Sequence, residues 1–208
     1  MTRVVAGRAG GRRLVVPDGE VTRPTSERVR EAMFSTLTSL LGALDGLVVL
    51  DLYAGSGALG LEALSRGAAR ATFVERDRRA LAALRRNVES TGLGEAEIRG
   101  TSVERAVRTP PACGPAGHEA AAREAAARAD LVLADPPYTV PASSVTDVLQ
   151  SLVESGWLAD GAVLVVERPT RERPPSWPGD LDVLQSRRYG ETVLWYLRWS
   201  VDTARSAG

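Results

Sequence analysis

The chain contains no lysine, and this absence is the most unusual feature of its composition. All 26 basic side chains are arginine, and 26 carboxylates balance them, so the formal net charge at pH 7 is zero. Genome base composition is the simplest cause of the absence. The consequence is nevertheless physical, because a guanidinium is a planar fork suited to phosphate groups and base edges, whereas an ammonium is a point charge.

Cysteine, histidine and long apolar runs are also scarce. Cys113 is the single cysteine, so an internal disulfide is excluded and a reducing compartment, the cytoplasm, is expected. His118 is the single histidine and has no metal-ligating neighbours in the sequence, so no metal site is expected. No apolar run approaches the roughly 20 residues of a membrane-spanning helix, and the first residues lack the apolar segment of a secretory signal.

Buried strands alternate with helices from residue 47 onward, which predicts an α/β fold with a parallel sheet covered on both faces. Strands are predicted at 47–52, 71–75, 97–100, 131–135 and 162–167, and helices at 59–66, 78–91 and 143–155. Two further runs, 182–186 and 191–199, predict a closing antiparallel hairpin.

The sequence before residue 47 has a different character. Short β-type runs around Gly10-Gly11 predict a hairpin, and apolar residues at helical spacing predict a helix over 26–42. Residues 1–30 contain seven arginines against three carboxylates, so this stretch is basic. We therefore expect a basic hairpin at 1–22, a main domain at 23–200 and a disordered tail at 201–208, with 108–129 as an insertion containing a solvated helix.

The apolar run 131–134 ends in Asp135-Pro136-Pro137-Tyr138, which is the most informative motif of the chain. Two prolines fix φ and remove two N–H donors, so the backbone continues neither as a strand nor as a helix. The motif forms a rigid bracket that presents a carboxylate beside an aromatic ring. A planar group with an NH2 substituent fits this bracket, because the carboxylate accepts from the amine and the ring stacks on the plane.

Asp51 and Glu75 end the first two strands of the α/β pattern, and Gly55, Gly57 and Gly60 lie in the turn after the first. Glycines there let the backbone approach a ligand, and an acidic residue after the second strand can accept both ribose hydroxyls. The glycines match the dinucleotide fingerprint, but Asp51 would disfavour a pyrophosphate and attract an ammonium. S-adenosylmethionine, with a ribose, an adenine and a cationic amino-acid tail, satisfies the whole set.

These two motifs together predict methyl transfer. Ligands gather at the carboxyl edge of a parallel sheet where the strand order switches, so we expect the amine and the sulfonium methyl to meet there. A hydrogen bond to Asp135, and to the Pro136 carbonyl, favours the pyramidal nitrogen needed for attack, while Tyr138 stacks on the base. Most of the rate then comes from positioning and electrostatics, and a base must leave any helical stack to react.

With these residues in hand, the sequence resembles the class I S-adenosylmethionine-dependent methyltransferases, and most closely the RsmD family of bacterial 16S rRNA guanine-N2 methyltransferases. The resemblance is carried by residues 3–7, 11–14, 23–25, 28–31, 51–60, 74–75, 135–138 and 189–190. It implies a Rossmann-like fold with a seven-stranded, mostly parallel sheet whose last strand is antiparallel. It also implies S-adenosylmethionine as the cofactor and 16S rRNA in small-subunit particles as the partner; we expect a monomer with no metal and no membrane.

The resemblance assigns the site residues to three groups. The catalytic group is Asp135, Pro136, Pro137 and Tyr138. The cofactor group is Asp51, Tyr53, Ala54, Gly55, Gly57, Gly60, Glu75, Arg76, Ser102 and Val103, where Ser102 or the Val103 backbone stands in place of the Asp or Asn that many relatives carry near the adenine. The rRNA-binding group is Arg3, Arg8, Arg12, Arg13, Arg23, Thr25, Arg28 and Arg30, whose arginines contribute salt-dependent affinity for phosphates.

Three other functions compete with this interpretation. A DNA adenine-N6 methyltransferase also uses Asp-Pro-Pro-Tyr, but little chain remains here for a target-recognition region. A glutamine-N5 methyltransferase typically has Asn-Pro-Pro-Tyr, whereas this chain has Asp135. A non-catalytic RNA-binding module on the same fold is disfavoured by the intact Asp51, Glu75 and Asp135.

Overall fold

The computed structural model describes residues 2–17, 27–109 and 127–201 of the chain. It confirms the predicted α/β fold. The strands of these residues form a two-stranded sheet and a seven-stranded sheet. The chain divides into two compact units, residues 1–103 and 104–208.

The first unit contains the N-terminal hairpin and the first three strands of the large sheet. Its elements are β1 (Thr2–Arg3), β2 (Arg13–Leu14), α1 (Glu27–Leu41), β3 (Val48–Leu52), α2 (Ala58–Ser65), β4 (Arg70–Glu75), α3 (Arg78–Thr91) and β5 (Glu95–Gly100). β4 pairs in parallel with both β3 and β5, so the carboxyl ends of the three strands lie at one edge. β3 is almost entirely buried, as its continuous apolar run predicts.

α3 illustrates how local sequence sets the bounds of an element. The Asp77 side chain accepts hydrogen bonds from the backbone N–H groups of Arg79 and Ala80, both at 2.9 Å, and so caps the helix. Gly92 ends it in the left-handed conformation, with φ at 59°. The helix therefore occupies residues 78–91, as the sequence predicts.

The second unit contains the remaining four strands. Its elements are α4 (Val103–Val107), β6 (Ala129–Ala134), α5 (Ala142–Glu154), β7 (Leu158–Pro169), β8 (Leu181–Tyr189) and β9 (Thr192–Trp199). The first residue of α4 is the last residue of the first unit. β6 and β7 are parallel, whereas β9 is antiparallel to both β7 and β8. The order of the seven strands is β5-β4-β3-β6-β7-β9-β8. The predicted antiparallel last strand and closing hairpin are thus confirmed.

Several predicted bounds need correction. β1 and β2 have two residues each, because the chain around Gly10-Gly11 turns without further ladder pairs. β7 and β8 are longer than predicted, and the five-residue α4 was not predicted because it is too short for a periodic signal. No helix of the described residues is long and apolar enough to cross a membrane.

Some predictions fall outside the described residues. These are the domain boundary at 22/23, the insertion helix, the tail after residue 201, Cys113, His118, Arg23 and Thr25.

Candidate active site

Asp51 lies in β3 and is fully buried, with 1% of its surface exposed. Its Oδ2 accepts a hydrogen bond of 2.8 Å from the backbone N–H of Gly60, in the first turn of α2. Burial raises the pKa of Asp51 to about 7, the hydrogen bond from Gly60 opposes the shift, and the charge of Glu75 adds to it. A positive charge placed beside this buried carboxylate would therefore stabilise its ionised form.

Gly57 and Gly60 are required by the geometry of the turn that joins β3 to α2. Gly57 precedes the helix with φ at 82°, a region that L side chains rarely adopt. A Cβ on Gly60 would lie 2.3 Å from the Phe73 ring and 3.0 Å from Oδ2 of Asp51. Both glycines therefore keep the turn tight, and Gly60 in addition lets its N–H reach the buried carboxylate.

Glu75 ends β4 and holds the same turn from the other side. Its Oε2 accepts from the backbone N–H of Gly55 at 2.8 Å, and its Oε1 accepts from those of Arg76 and Asp77, both at 2.7 Å. The residue is half-buried, and a carboxylate has about four acceptor positions. Backbone donors occupy three of these positions, so one ribose hydroxyl can be added without displacing them.

Asn87 on α3 is a residue of this turn that sequence reasoning missed. It is fully buried, and its Nδ2 donates to the Ser56 carbonyl of the turn at 2.8 Å. The same amide exchanges two hydrogen bonds with the backbone of Val15, at 2.7 and 2.8 Å. Asn87 thus links the N-terminal hairpin to the glycine-rich turn. An amide on the otherwise apolar buried face of α3 was the available signal.

The remaining predicted cofactor residues lie around the same strand ends of the first unit. Tyr53 adopts a positive φ of 59°, Ala54 is buried, and Arg76 is exposed. Ser102 is half-buried and Val103 is buried, just after β5.

The second unit contains the Asp135–Tyr138 bracket. β6 ends at Ala134, and the bracket then continues without regular structure, as its prolines require. Pro136 is buried, Asp135 and Tyr138 are half-buried, and the Val140 N–H closes a turn onto the Pro137 carbonyl at 2.8 Å. The bracket is therefore a fixed turn at the carboxyl end of a buried strand.

Polar residues of β7 and β9 support the bracket within this unit. The Tyr138 hydroxyl lies 3.4 Å from Oγ1 of Thr192, which donates to the buried Glu167 at 3.1 Å. Arg168 is 1% exposed; its Nη2 donates to the Val140 carbonyl at 3.0 Å and pairs with Glu172. Sequence reasoning missed both contacts, although adjacent charges at the end of the buried run 162–166 were a visible signal.

The predicted rRNA-binding arginines of the hairpin lie on its surface. Arg3 pairs with Glu27 at 2.9 Å, and the Nη2 of Arg8 donates to the Leu64 carbonyl at 3.1 Å. Arg12 donates to the Ser90 carbonyl at the end of α3. Arg13 and Arg28 are exposed.

Arg30 on α1 belongs to the same predicted rRNA-binding group, but its side chain is buried and not exposed. It is 2% exposed, donates to the Arg3 carbonyl, and lies 3.8 Å from the buried carboxylate of Glu62. Burial lowers the pKa of Arg30, whereas the charges of Glu62 and Glu27 raise it. Arg30 is therefore placed as a partner of Glu62 inside the first unit, and this burial does not favour a role as a phosphate ligand.

Comparison with known proteins identifies the family. The model of the family described as "Conserved hypothetical protein 95" matches residues 2–198. The ribosomal RNA small subunit methyltransferase D of Escherichia coli K12 is 32% identical over 191 residues, which are 92% of this chain and 86% of that protein. The chain belongs to the RsmD family.

Further members of the RsmD family and solved structures extend the likeness over nearly the whole chain. The methyltransferase D of Haemophilus influenzae is 30% identical, covering 90% of this chain and 89% of its own. The solved structure named "Putative methyltransferase yhhF from Escherichia coli" has a TM-score of 0.79 at 28% identity, covering 96% and 98% of the two chains. A hypothetical protein of Thermus thermophilus has a TM-score of 0.73 at 31% identity, with coverage of 97% and 100%. The fold is thus that of the RsmD family.

Proposed function

We propose that this protein transfers the methyl group of S-adenosylmethionine to the exocyclic N2 of a guanine in 16S rRNA, at a site of the 966 type. Membership of the RsmD family supports the coarser activity, methylation of small-subunit ribosomal RNA. The finer assignment to guanine N2 is our inference. We expect the protein to act as a monomer in the cytoplasm, on rRNA within small-subunit particles.

The buried carboxylate of Asp51 is the observation that carries the proposal. At 1% exposure and with a pKa near 7, it lies behind a turn that leaves room for backbone but not for side chains. The ammonium of an amino-acid tail would supply a positive charge beside Asp51, and the remaining acceptor position of Glu75 would take a ribose hydroxyl. A dinucleotide would place its anionic pyrophosphate at this turn, beside Asp51, so the two carboxylates fit S-adenosylmethionine better.

S-adenosylmethionine, when bound, supplies a methyl group attached to a positively charged sulfur. When the methyl group is transferred, the C–S bond breaks and the sulfur becomes a neutral thioether, which is the leaving group. The bracket residues would prepare the acceptor. Asp135 would accept a hydrogen bond from the amine, which concentrates the nitrogen lone pair for attack, and Tyr138 would stack on the base to set its plane. As the new C–N bond forms, the nitrogen becomes positively charged, and Asp135 stabilises that charge before the proton is released.

The decisive experiment is mass-spectrometric mapping of methylguanosine in 16S rRNA from cells with and without this gene. Loss of one N2-methylguanosine in the absence of the gene is expected, with restoration by the intact gene. A missing N6-methyladenine in DNA, or an unchanged 16S rRNA, would contradict the proposal.

The role of Asp135 is tested by substitution. We expect Asp135→Ala to lower kcat by at least about 100-fold, because it removes the acceptor that polarises the amine, and to leave donor affinity nearly unchanged. Asp135→Asn keeps an acceptor oxygen and should retain more activity, while Asp147→Ala, an exposed carboxylate on α5, is the matched control. Calorimetry with S-adenosylmethionine separates the roles, because a loss of donor binding would show that Asp135 belongs to the donor site.

A further inference from the structure

α3 has a strongly basic exposed side. Arg78, Arg79, Arg85 and Arg86 are all exposed, and Glu89 is the one carboxylate within the helix. Arg78 and Arg85 are seven residues apart, and so are Arg79 and Arg86. The two members of each pair therefore lie on the same side of the helix, about 10 Å from each other along its axis. The opposite side is buried against the first unit. The positive charges therefore form a surface along the helix rather than scattered points.

These four arginines are not neutralised by neighbouring carboxylates. None of them makes an ion pair or a side-chain hydrogen bond with the described residues. Two other arginines of the first unit differ in this respect, since Arg70 pairs with Glu95 and Arg99 with Glu97, both at 2.8 Å. In a chain of zero net charge, an uncompensated group of this size concentrates positive potential on one side of the unit.

The basic side of α3 is continuous with the N-terminal hairpin. The Arg12 guanidinium donates to the Ser90 carbonyl, one helical turn beyond Arg86. Asn87 fixes the same junction through its two hydrogen bonds with Val15. The hairpin arginines and the helix arginines are thus held on one hydrogen-bonded framework.

We infer that Arg78, Arg79, Arg85 and Arg86 bind the phosphate backbone of the RNA substrate, as an extension of the hairpin surface. This inference rests on the proposed function, which supplies the RNA. Guanidinium groups that lack carboxylate partners can each contact phosphate oxygens as a planar fork. Phosphate contacts of this kind position the RNA and carry no sequence information, so α3 contributes affinity rather than choice of the guanine.

The salt dependence of RNA binding tests the inference. We would measure the affinity of the full-length protein for small-subunit particles at increasing salt, for the wild type and for Arg85→Gln/Arg86→Gln. Each lost phosphate contact should lower the slope of log affinity against log salt by about 0.7–0.9, so the double variant should lose about 1.4–1.8. Arg85→Gln and Arg86→Gln should each lose about half of that.

Arg70→Gln is the matched control for each single variant, because it also removes one positive charge, from an arginine that is already paired. Its slope should equal that of the wild type, and all variants should bind S-adenosylmethionine with unchanged affinity. A slope that does not change in the double variant would overturn the inference while leaving the proposed function intact. A wild type without salt-dependent binding to the particles would instead contradict the proposed function itself.

Discussion

Asp51 holds its proton unusually well for a carboxylic acid. Its unfolded-state pKa is 3.8 and its folded pKa is about 7, so between these values the unfolded chain releases a proton that the folded protein retains. The contribution of this group to the free energy of unfolding therefore falls as the pH rises from about 4 to about 7. The site keeps a residue that destabilises the fold at neutral pH, which is the behaviour expected of a ligand-binding group.

The affinity for S-adenosylmethionine should accordingly increase with pH between about 5.5 and 7.5. The ionised form of Asp51 binds the ammonium, and that form becomes dominant as the pH passes about 7. Above about 8 the amino group of the donor loses its own proton, so the increase ends there. Isothermal calorimetry across this range measures the effect, and an affinity independent of pH would contradict the proposed contact.

Asp51→Asn is the control for this prediction. The amide oxygen can still accept from the Gly60 N–H, but the side chain carries no charge. We expect weaker donor binding with the pH dependence removed, together with an unfolding free energy that no longer falls between pH 5 and pH 7. A variant whose donor affinity matched the wild type would show that Asp51 merely closes the turn.

Individual residues also show how far the sequence predicts the site. Asp51, Glu75 and Asp135 could be predicted because each follows or ends a buried run, where the chain position alone fixes the place in a sheet. Asn87 and Arg30 could not, since their partners are distant in the sequence. Arg30 is buried because Glu62, 32 residues later, lies against it, and no local pattern of α1 contains that information.

At the scale of the element, the strand-and-helix alternation was predictable because burial on both faces produces continuous apolar runs. The bracket was predictable as a turn, but the contacts that Arg168 makes with the chain beside it were not. Arg168 at the end of β7 joins the turn after β6, through the Val140 carbonyl, to the loop that contains Glu172. This contact connects two loops that follow neighbouring parallel strands, so it depends on the pairing of β6 with β7.

Arg168 should therefore act as a positioning residue for the bracket. We expect Arg168→Ala to lower kcat by about 10- to 100-fold, because the acceptor would be held less accurately, while the KM for S-adenosylmethionine stays constant. Arg168→Lys keeps the charge but loses the fork, and should restore part of the activity. Steady-state kinetics provides the readout, with the thermal midpoint as a check on folding; a folded variant of unchanged kcat would contradict the role.

At the scale of the whole molecule, the N-terminal hairpin is part of the first unit and not an appended arm. Val4 and Leu14 are buried, and the carboxylate of Glu62 accepts from the backbone N–H groups of Val5 and Ala6 at 2.6 and 3.0 Å. Glu62 also pairs with Arg66 at 2.7 Å while fully buried. The hairpin thus supplies two of the hydrogen bonds that stabilise the buried carboxylate of Glu62 within the first unit.

Deletion of residues 2–17 should consequently destabilise the protein as well as weaken RNA binding. The deletion leaves Glu62 with its arginine partners but without its two backbone donors, and it leaves Asn87 without Val15. A hydrogen bond to a charged group contributes about 1.5–3 kcal/mol, so we expect a loss of that order for each lost donor of Glu62. Urea unfolding followed by circular dichroism would measure the loss.

Arg13→Gln, which changes an exposed hairpin residue, is the control for this deletion. It should unfold at the wild-type midpoint and still lower the slope of log RNA affinity against log salt. A truncated protein with wild-type stability would show that the hairpin is separable, and the contacts of Glu62 would then have to be energetically neutral.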